Sequence, residues 1–366
     1  MFERRLIFYV DWLLFGAVLL LTAVGLAMIY STTFDAINNR VGPQFYTQLY
    51  AVALGLLALL VCMSFDYRRV ASQSLLIFGL LAAVLIYTLF FGAVRGGARR
   101  WIDLGPMDVQ PSEFAKIGLA LVSASFFAES RRGAGSWADL GMGAVFLAVL
   151  ALLIARQPDL GTAVTLVPIF LGIAFIAGMQ TRLLAVLVLI GVITAPVAWT
   201  FALKDYQRSR IQTFLDPEQD ARGAGYQQIQ ARITAGSGGV TGKGYLQGTQ
   251  GQYKFLPVAH NDFIYSVLAE ELGFIGVVTT LGLYLFVIVR SLDAARRASD
   301  RLGAYLVVGL ISGFTFQVVY NITMSAGLAP VKGLTLPLMS YGGSSIIATL
   351  ASFGFILNVR MRRFTN

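Results

Sequence analysis

The chain has 366 residues, 57% of them hydrophobic and 13% charged, with a net charge of +9 and a mean hydropathy of +0.71. That is more apolar surface than a soluble domain can bury, so composition excludes a soluble globular protein and implies an integral membrane one. A bilayer core about 30 Å thick needs roughly 20 apolar residues per helix, whereas membrane strands would show about ten alternating residues, a pattern absent from this sequence.

The expected fold is therefore all-α, a single polytopic membrane domain. Ten segments have the length of a spanning helix: 8–30, 45–65, 72–93, 111–128, 138–155, 160–178, 182–202, 262–290, 302–325 and 338–359. Placing the N-terminus in the cytoplasm puts fourteen arginines in the cytoplasmic segments, among them Arg68, Arg69, Arg290, Arg360, Arg362 and Arg363. The short outer loops then carry six basic residues: Arg40, Arg95, Arg99, Arg100, Arg156 and Lys332. Basic residues concentrate in short cytoplasmic loops, so the count favours both termini inside, although Arg95, Arg99 and Arg100 run against it. The first apolar stretch follows a short basic head and exceeds a signal-peptide core, so it is expected to be retained.

One cysteine, Cys62, excludes an intrachain disulfide, and one histidine with one cysteine cannot supply the usual ligands of a zinc site. About half of the basic residues sit where topology demands them, so the net charge points to anionic lipid rather than nucleic acid.

One long hydrophilic interval, 203–261, falls outside the membrane in this topology. Asp216 and Pro217 signal a turn there, and Tyr226 to Ile233 form an amphipathic stretch expected partly on the membrane surface. GSGGVTGKGYLQGTQGQ, residues 236–252, resembles a phosphate loop only in part. The pattern needs glycine where Ser237 stands and serine or threonine where Gly244 stands. A flexible glycine-rich segment is expected, whose amides and Lys243 can approach a phosphate. The sequence has no internal repeat to support an inverted-repeat transporter.

Ionisable groups inside a membrane are costly and tend to be paired or functional. Glu113 and Lys116 lie three apart, on one helix face, where they can pair. Asp159 begins the sixth segment and Asp262 the eighth, while Glu270 and Glu271 lie about 12 to 14 Å farther along that helix at 1.5 Å per residue. Glu113, Lys116, Asp159 and Asp262 fall near the outer leaflet, and the outer loops add Arg99, Arg100 and Lys243. A cavity acidic inside and basic at its rim suits an amphiphile with a phosphate-bearing head. Glu270 and Glu271 read as internal braces or as partners for a lysine such as Lys116. Asp262 reads on residue type alone as a helix cap. It could serve as a general base only if burial raised its pKa. His260, alone in a loop, reads as a hydrogen-bonding residue.

Five stretches, RWIDLGPMDVQPSEFAK (100–116), QPDLGTA (157–163), GSGGVTGKGYLQGTQ, LPVAHNDFIYSVLAEELGFIG (256–276) and LPLMSYGGSS (336–345), resemble in order and spacing the SEDS proteins of bacterial shape, elongation, division and sporulation. The short N-terminal tail and KGYLQGTQ look more like the RodA elongation branch than the FtsW division branch. The resemblance implies a ten-helix peptidoglycan glycosyltransferase of the bacterial cytoplasmic membrane. Such an enzyme polymerises lipid II at the outer face and works with a class B penicillin-binding protein. It assigns the essential acid to Asp262, which activates the acceptor hydroxyl that displaces undecaprenyl pyrophosphate. It also carries functional positions onto Arg100, Glu113, Lys116, Asp159 and Lys243, with His260 beside them in the HNDF motif. A divalent cation, magnesium or manganese, could share in stabilising the leaving group. The chain departs from the family's common pattern at Val258, Asn261 and Lys332. Two other readings stand beside the polymerase, a lipid II flippase and a non-catalytic scaffold that activates a penicillin-binding protein. Clustering of the ionisable groups at one depth speaks against the flippase.

Overall fold

A computed structural model of the chain describes residues 8–364 apart from 36–37, 96, 104, 106, 131–135, 187–188, 190–192, 194–204, 221–222, 253–254 and 257–258. The long helices are α1 (Trp12–Thr33), α2 (Pro43–Ser64), α4 (Ser74–Phe91), α5 (Pro111–Glu129), α6 (Trp137–Arg156), α7 (Leu160–Ile176), α11 (Ile264–Arg296), α12 (Arg301–Ser325) and α13 (Gly343–Met361). Shorter ones are α3 (Tyr67–Ser72), α8 (Asp205–Leu215), α9 (Ala224–Ser237) and α10 (Thr249–Gln252). Nine of the ten expected segments are thus helical among the described residues. The remaining one, 182–202, is helical at 182–186 and otherwise lies mostly outside them. Seven of these helices, α1, α2, α4, α6, α11, α12 and α13, are long and apolar enough to cross a membrane. The chain is a multi-pass membrane protein.

Local chemistry sets many helix starts. Asp11, Asp66, Asp159 and Asp300 each accept a backbone N–H of the first turn of α1, α3, α7 and α12. Pro43 and Pro111 open α2 and α5, where a missing N–H costs nothing. Small residues then let helices approach. A Cβ on Gly309 or Gly313 of α12 would strike Ile173 or Ile169 of α7, and one on Gly354 of α13 would strike the backbone of Leu59 in α2. Without a hydrophobic drive between helices in lipid, such close contacts supply the association energy.

Hydrogen bonds tie the helix ends into two groups. At one end, Arg68 pairs with Asp300 at 2.7 Å, Arg290 and Arg360 with Asp11 at 2.8 Å each, and Arg360 with Asp293 at 2.7 Å. At the other, Gln48 donates to the Ser340 carbonyl, Gln110 N–H to Ser344 Oγ at 2.8 Å, and Asn321 to the Asp262 carbonyl. Charge closes the first end and neutral amides and hydroxyls lace the second. Short strands cover the second end: β1 (Phe34–Asp35) pairs with β2 (Arg40–Val41), while β3 (Ala93–Arg95), β4 (Ala98–Asp103) and β5 (Asp108–Val109) form a three-stranded antiparallel sheet.

Two expectations about residues 236–276 are corrected. Helix α11 breaks at Gly273, whose φ of 64° and ψ of −165° are not helical. The glycine-rich stretch is not loose: it docks on that break. Lys243 N–H donates to the Glu270 carbonyl at 2.9 Å, Gly244 N–H to Glu271 at 3.0 Å, and Phe274 N–H to Gly239 at 2.9 Å. Gly273 must be glycine, since its φ is positive and a Cβ would meet the Val240 carbonyl at 2.6 Å. Residues 264–272 before the break are mostly buried in protein, whereas Phe274, Ile275, Val278 and Leu285 after it are exposed. The portion 274–296 alone suffices to span a bilayer, at about 1.5 Å per residue. Glu271 consequently sits beside Ser31 in the last turn of α1, which donates to it, rather than midway along a continuous helix. The amphipathic stretch around Tyr226–Ile233 is helical within α9, which packs on α11.

Candidate active site

At the amide-laced end a cavity of about 570 Å³ opens between the β3–β5 sheet, the starts of α5, α7 and α13 and the turn before α11; Arg100, Glu113, Asp159 and Asp262 all line it. Residues at the starts of α5, α7 and α13 line it, and a helix start carries a partial positive charge, which suits an anionic ligand. Four of the seven expected site residues therefore converge, although they are spread over 163 positions of sequence, from 100 to 262.

Asp159 is both cap and anchor. Its Oδ1 accepts the Thr162 N–H, its Oδ2 accepts Gln110 at 2.7 Å and Ser112 at 3.0 Å, and Arg100 stands 3.8 Å away. Arg100 comes from β4, the middle strand of the sheet, and its Nε is buried with no acceptor among the described residues. Glu113 holds Lys116 at 2.8 Å, and Lys116 donates also to Gln317 of α12 at 3.0 Å. Lys116 thus backs the cavity through Glu113 without lining it. A partnership of Lys116 with Glu270 or Glu271 does not occur: Glu270 instead holds Lys243 at 2.6 Å and accepts the N–H groups of Thr249 and Gln250. Lys243 lies away from the cavity, as the clasp of the docked glycine-rich stretch. His260 contributes through its neighbours: its carbonyl accepts the Tyr341 N–H at 2.9 Å and its ring stands edge-on to Tyr341, which lines the cavity. Burial pushes its imidazole pKa down.

Asp262 does not cap α11. That helix begins at Ile264 with Phe263 in the cap position and no side-chain cap bond. The Asp262 carboxyl makes no hydrogen bond among the described residues and faces the cavity beside Gly333, where a Cβ would stand 3.8 Å from Oδ2. Loss of hydration pushes its pKa up to about 6, against the opposing pull of Arg210 and Arg100. A carboxyl poised there is a base near neutral pH and an acid below it.

Sequence reasoning passed over Arg210 and Asn321 in this site, as it did Gln110. Arg210 of α8 donates to the Val331 carbonyl at 3.1 Å and acts on Asp262 through its charge. Asn321, fully buried in α12, donates to the carbonyls of Asp262 at 2.9 Å and Leu334 at 2.7 Å, stapling the two loops that carry Asp262 and Gly333. An uncharged amide in an apolar helix was the available signal, four residues after Gln317 and hence on the same face. Asn321→Ala leaves two carbonyls without that donor, so a loss of about 1–3 kcal/mol is expected, read as a lower melting temperature in detergent. An unchanged melting temperature would show that the staple carries no stability.

A divalent cation finds no ready cradle: Glu113, Asp159 and Asp262 line one cavity, yet among the described residues no three His, Cys, Asp or Glu side chains are grouped so as to hold a metal ion. Glu113 and Asp159 are already engaged with Lys116, Gln110 and Ser112.

The chain matches the FtsW/RodA/SpoVE cell cycle protein family over residues 11–364. It is 40% identical over 312 residues to the peptidoglycan glycosyltransferase MrdB of Escherichia coli K12, covering 85% of this chain and 84% of that protein. It is 32% identical to the peptidoglycan glycosyltransferase RodA of Treponema pallidum, over 96% and 98% of the two chains. Among solved structures, a chain of a peptidoglycan synthase complex that coordinates polymerization and crosslinking superposes with a TM-score of 0.85 at 33% identity, covering 98% of this chain and 99% of that one. The Thermus thermophilus rod shape determining protein RodA superposes with a TM-score of 0.73 at 30% identity, with 98% of each chain covered. By a match that runs nearly end to end, this protein belongs to the FtsW/RodA/SpoVE family.

Proposed function

We propose that this protein is a peptidoglycan glycosyltransferase that polymerises lipid II at the outer face of the cytoplasmic membrane during cell elongation, with ten spanning helices and both termini inside. The observation that carries the reading is Asp262 unbonded, with a raised pKa, in a cavity rimmed by Arg100 at a bundle end. The distribution of basic residues supports the topology, because arginines concentrate at the end opposite this cavity. The 203–261 interval is the large outer loop of this arrangement.

In the proposed reaction the Asp262 carboxylate takes the proton of the acceptor sugar hydroxyl. The oxygen so activated forms a bond to the anomeric carbon of the donor, and the bond from that carbon to the pyrophosphate oxygen breaks. The electron pair leaves with undecaprenyl pyrophosphate. Arg100, whose Nε has no acceptor among the described residues, is placed to meet the charge that develops there, and Arg210 adds to the positive field. Asp159 orients Arg100; Glu113 and Lys116 hold α5 against α12. Lys243 acts on the loop rather than on substrate. A class B penicillin-binding protein is the proposed partner, supported by the likeness to a chain of a polymerising and crosslinking complex.

Purified protein, alone or with such a partner, is expected to lengthen glycan strands from lipid II. Lipid II translocation in vesicles without polymer would favour a flippase instead. Because the base form of Asp262 is populated above its pKa, the rate should rise with pH through about 6. Arg100 holds that pKa down, so Arg100→Gln should move the rising limb to higher pH as well as slow the reaction. A slowed variant with an unmoved limb would separate Arg100 from Asp262.

A further inference from the structure

At the end of the bundle opposite the Asp262 cavity lies a second, open cavity of about 310 Å³ between the start of α1 and the ends of α11 and α13. Three arginines line it, Arg290, Arg360 and Arg363, against one acid, Asp11. Asp11 accepts both Arg290 and Arg360, and Arg360 is also held by Asp293, so these two guanidinium groups are fixed in place and their charge is balanced. Arg363 has no ion pair among the described residues: its Nε is buried without an acceptor, and its guanidinium stacks on Phe364 at 4.5 Å. The cavity therefore carries a net positive charge and a donor with nothing to donate to.

Its surroundings are apolar. Trp12 and Leu13 at its mouth are exposed, and Leu13, Gly16 and Leu20 continue as one exposed stripe along α1, seven residues from Leu13 to Leu20. Gly16 has open space where a side chain would be. A tryptophan at the helix start marks the headgroup level of a membrane-crossing helix. The neighbouring cavity at the same end, of about 600 Å³, offers a contrast: Arg68 and Arg301 are balanced there by Asp300 and Glu129, so its lining carries no net charge.

We infer that the Arg290–Arg360–Arg363 cavity is a binding site for the phosphate headgroup of an anionic phospholipid, with an acyl chain lying along the Leu13–Gly16–Leu20 stripe. The guanidinium groups match a phosphate in geometry and charge, and a basic pocket at the interface is attracted to anionic lipid by about 1 kcal/mol per arginine. A free phosphate would use the same donors but would leave the apolar stripe unused.

The test uses the full-length protein in detergent, with native mass spectrometry and thermal melting. Phosphatidylglycerol, phosphatidylcholine and inorganic phosphate are added in separate arms. Wild type should retain phosphatidylglycerol and melt at a higher temperature with it than with either other addition. Arg363→Gln, which breaks no ion pair, should retain it about fivefold less well, the factor that corresponds to one arginine at the interface. Arg69→Gln, an exposed arginine at the same end outside the cavity, serves as control and should behave as wild type. Equal retention by Arg363→Gln and wild type would overturn the site. Equal protection by inorganic phosphate would overturn the lipid as its occupant. Because neither readout involves polymerisation, the outcome is independent of the proposed activity.

Discussion

Asp262→Asn should reduce glycan polymerisation by about 10²- to 10⁴-fold, the range that a positioned general base contributes. The substitution keeps the size and polarity of the side chain, and the Asp262 carboxyl makes no hydrogen bond among the described residues that the fold would lose. Its backbone carbonyl, held by Asn321, is untouched. The melting temperature of the variant should therefore equal that of wild type or exceed it, since removing a partly desolvated carboxyl relieves a cost. Polymerisation at the wild-type rate would take Asp262 out of the mechanism. Cells that grow normally on the variant would favour a scaffold instead.

Glu270→Ala should produce the largest loss of stability. Glu270 is fully buried, and its Oε1 gathers the Lys243 ammonium at 2.6 Å, the Thr249 N–H at 3.0 Å and the Gln250 N–H at 3.2 Å. Removing one member of a buried pair costs about 3–5 kcal/mol, and the partial exposure of Lys243 places this case near the lower bound. A fall in melting temperature and faster proteolysis within residues 238–252 are the expected readouts. The double variant Glu270→Gln, Lys243→Met should recover part of the loss, because no uncompensated charge remains. Proteolysis unchanged in the single variant would show that the clasp does not hold the loop.

The helices were readable because hydropathy acts locally: nine apolar segments matched helices to within a few residues. The Glu113–Lys116 pair was readable for the same reason, as three positions on one helix fix the distance. Lys243 and Glu270 are 27 residues apart across non-periodic chain, and no local rule brings them together. Reading LAEELGFIG as one helix overlooked Gly273, whose role depends on a backbone arriving from residues 238–244. In the site, Asp262 and Asp159 stood out as charges in apolar surroundings, whereas Asn321 and Gln110 are neutral and Arg210 lay in a polar loop where an arginine draws no notice. Whether Asp262 capped its helix turned on a shift of two residues in the helix start, below the resolution of any sequence pattern.

The charged and the neutral ties of the bundle differ in their response to ionic strength. Ion pairs such as Arg68–Asp300 and Arg297–Asp293 are partly exposed, and at 1 M salt the screening length falls to about 3 Å. The Gln48, Gln110 and Asn321 bonds carry no net charge and are indifferent to salt. Salt therefore loosens the charged ties first, the Arg100–Asp159 contact at the cavity among them, while the neutral staples hold, and the two kinds of tie can be separated by titrating with an inert electrolyte.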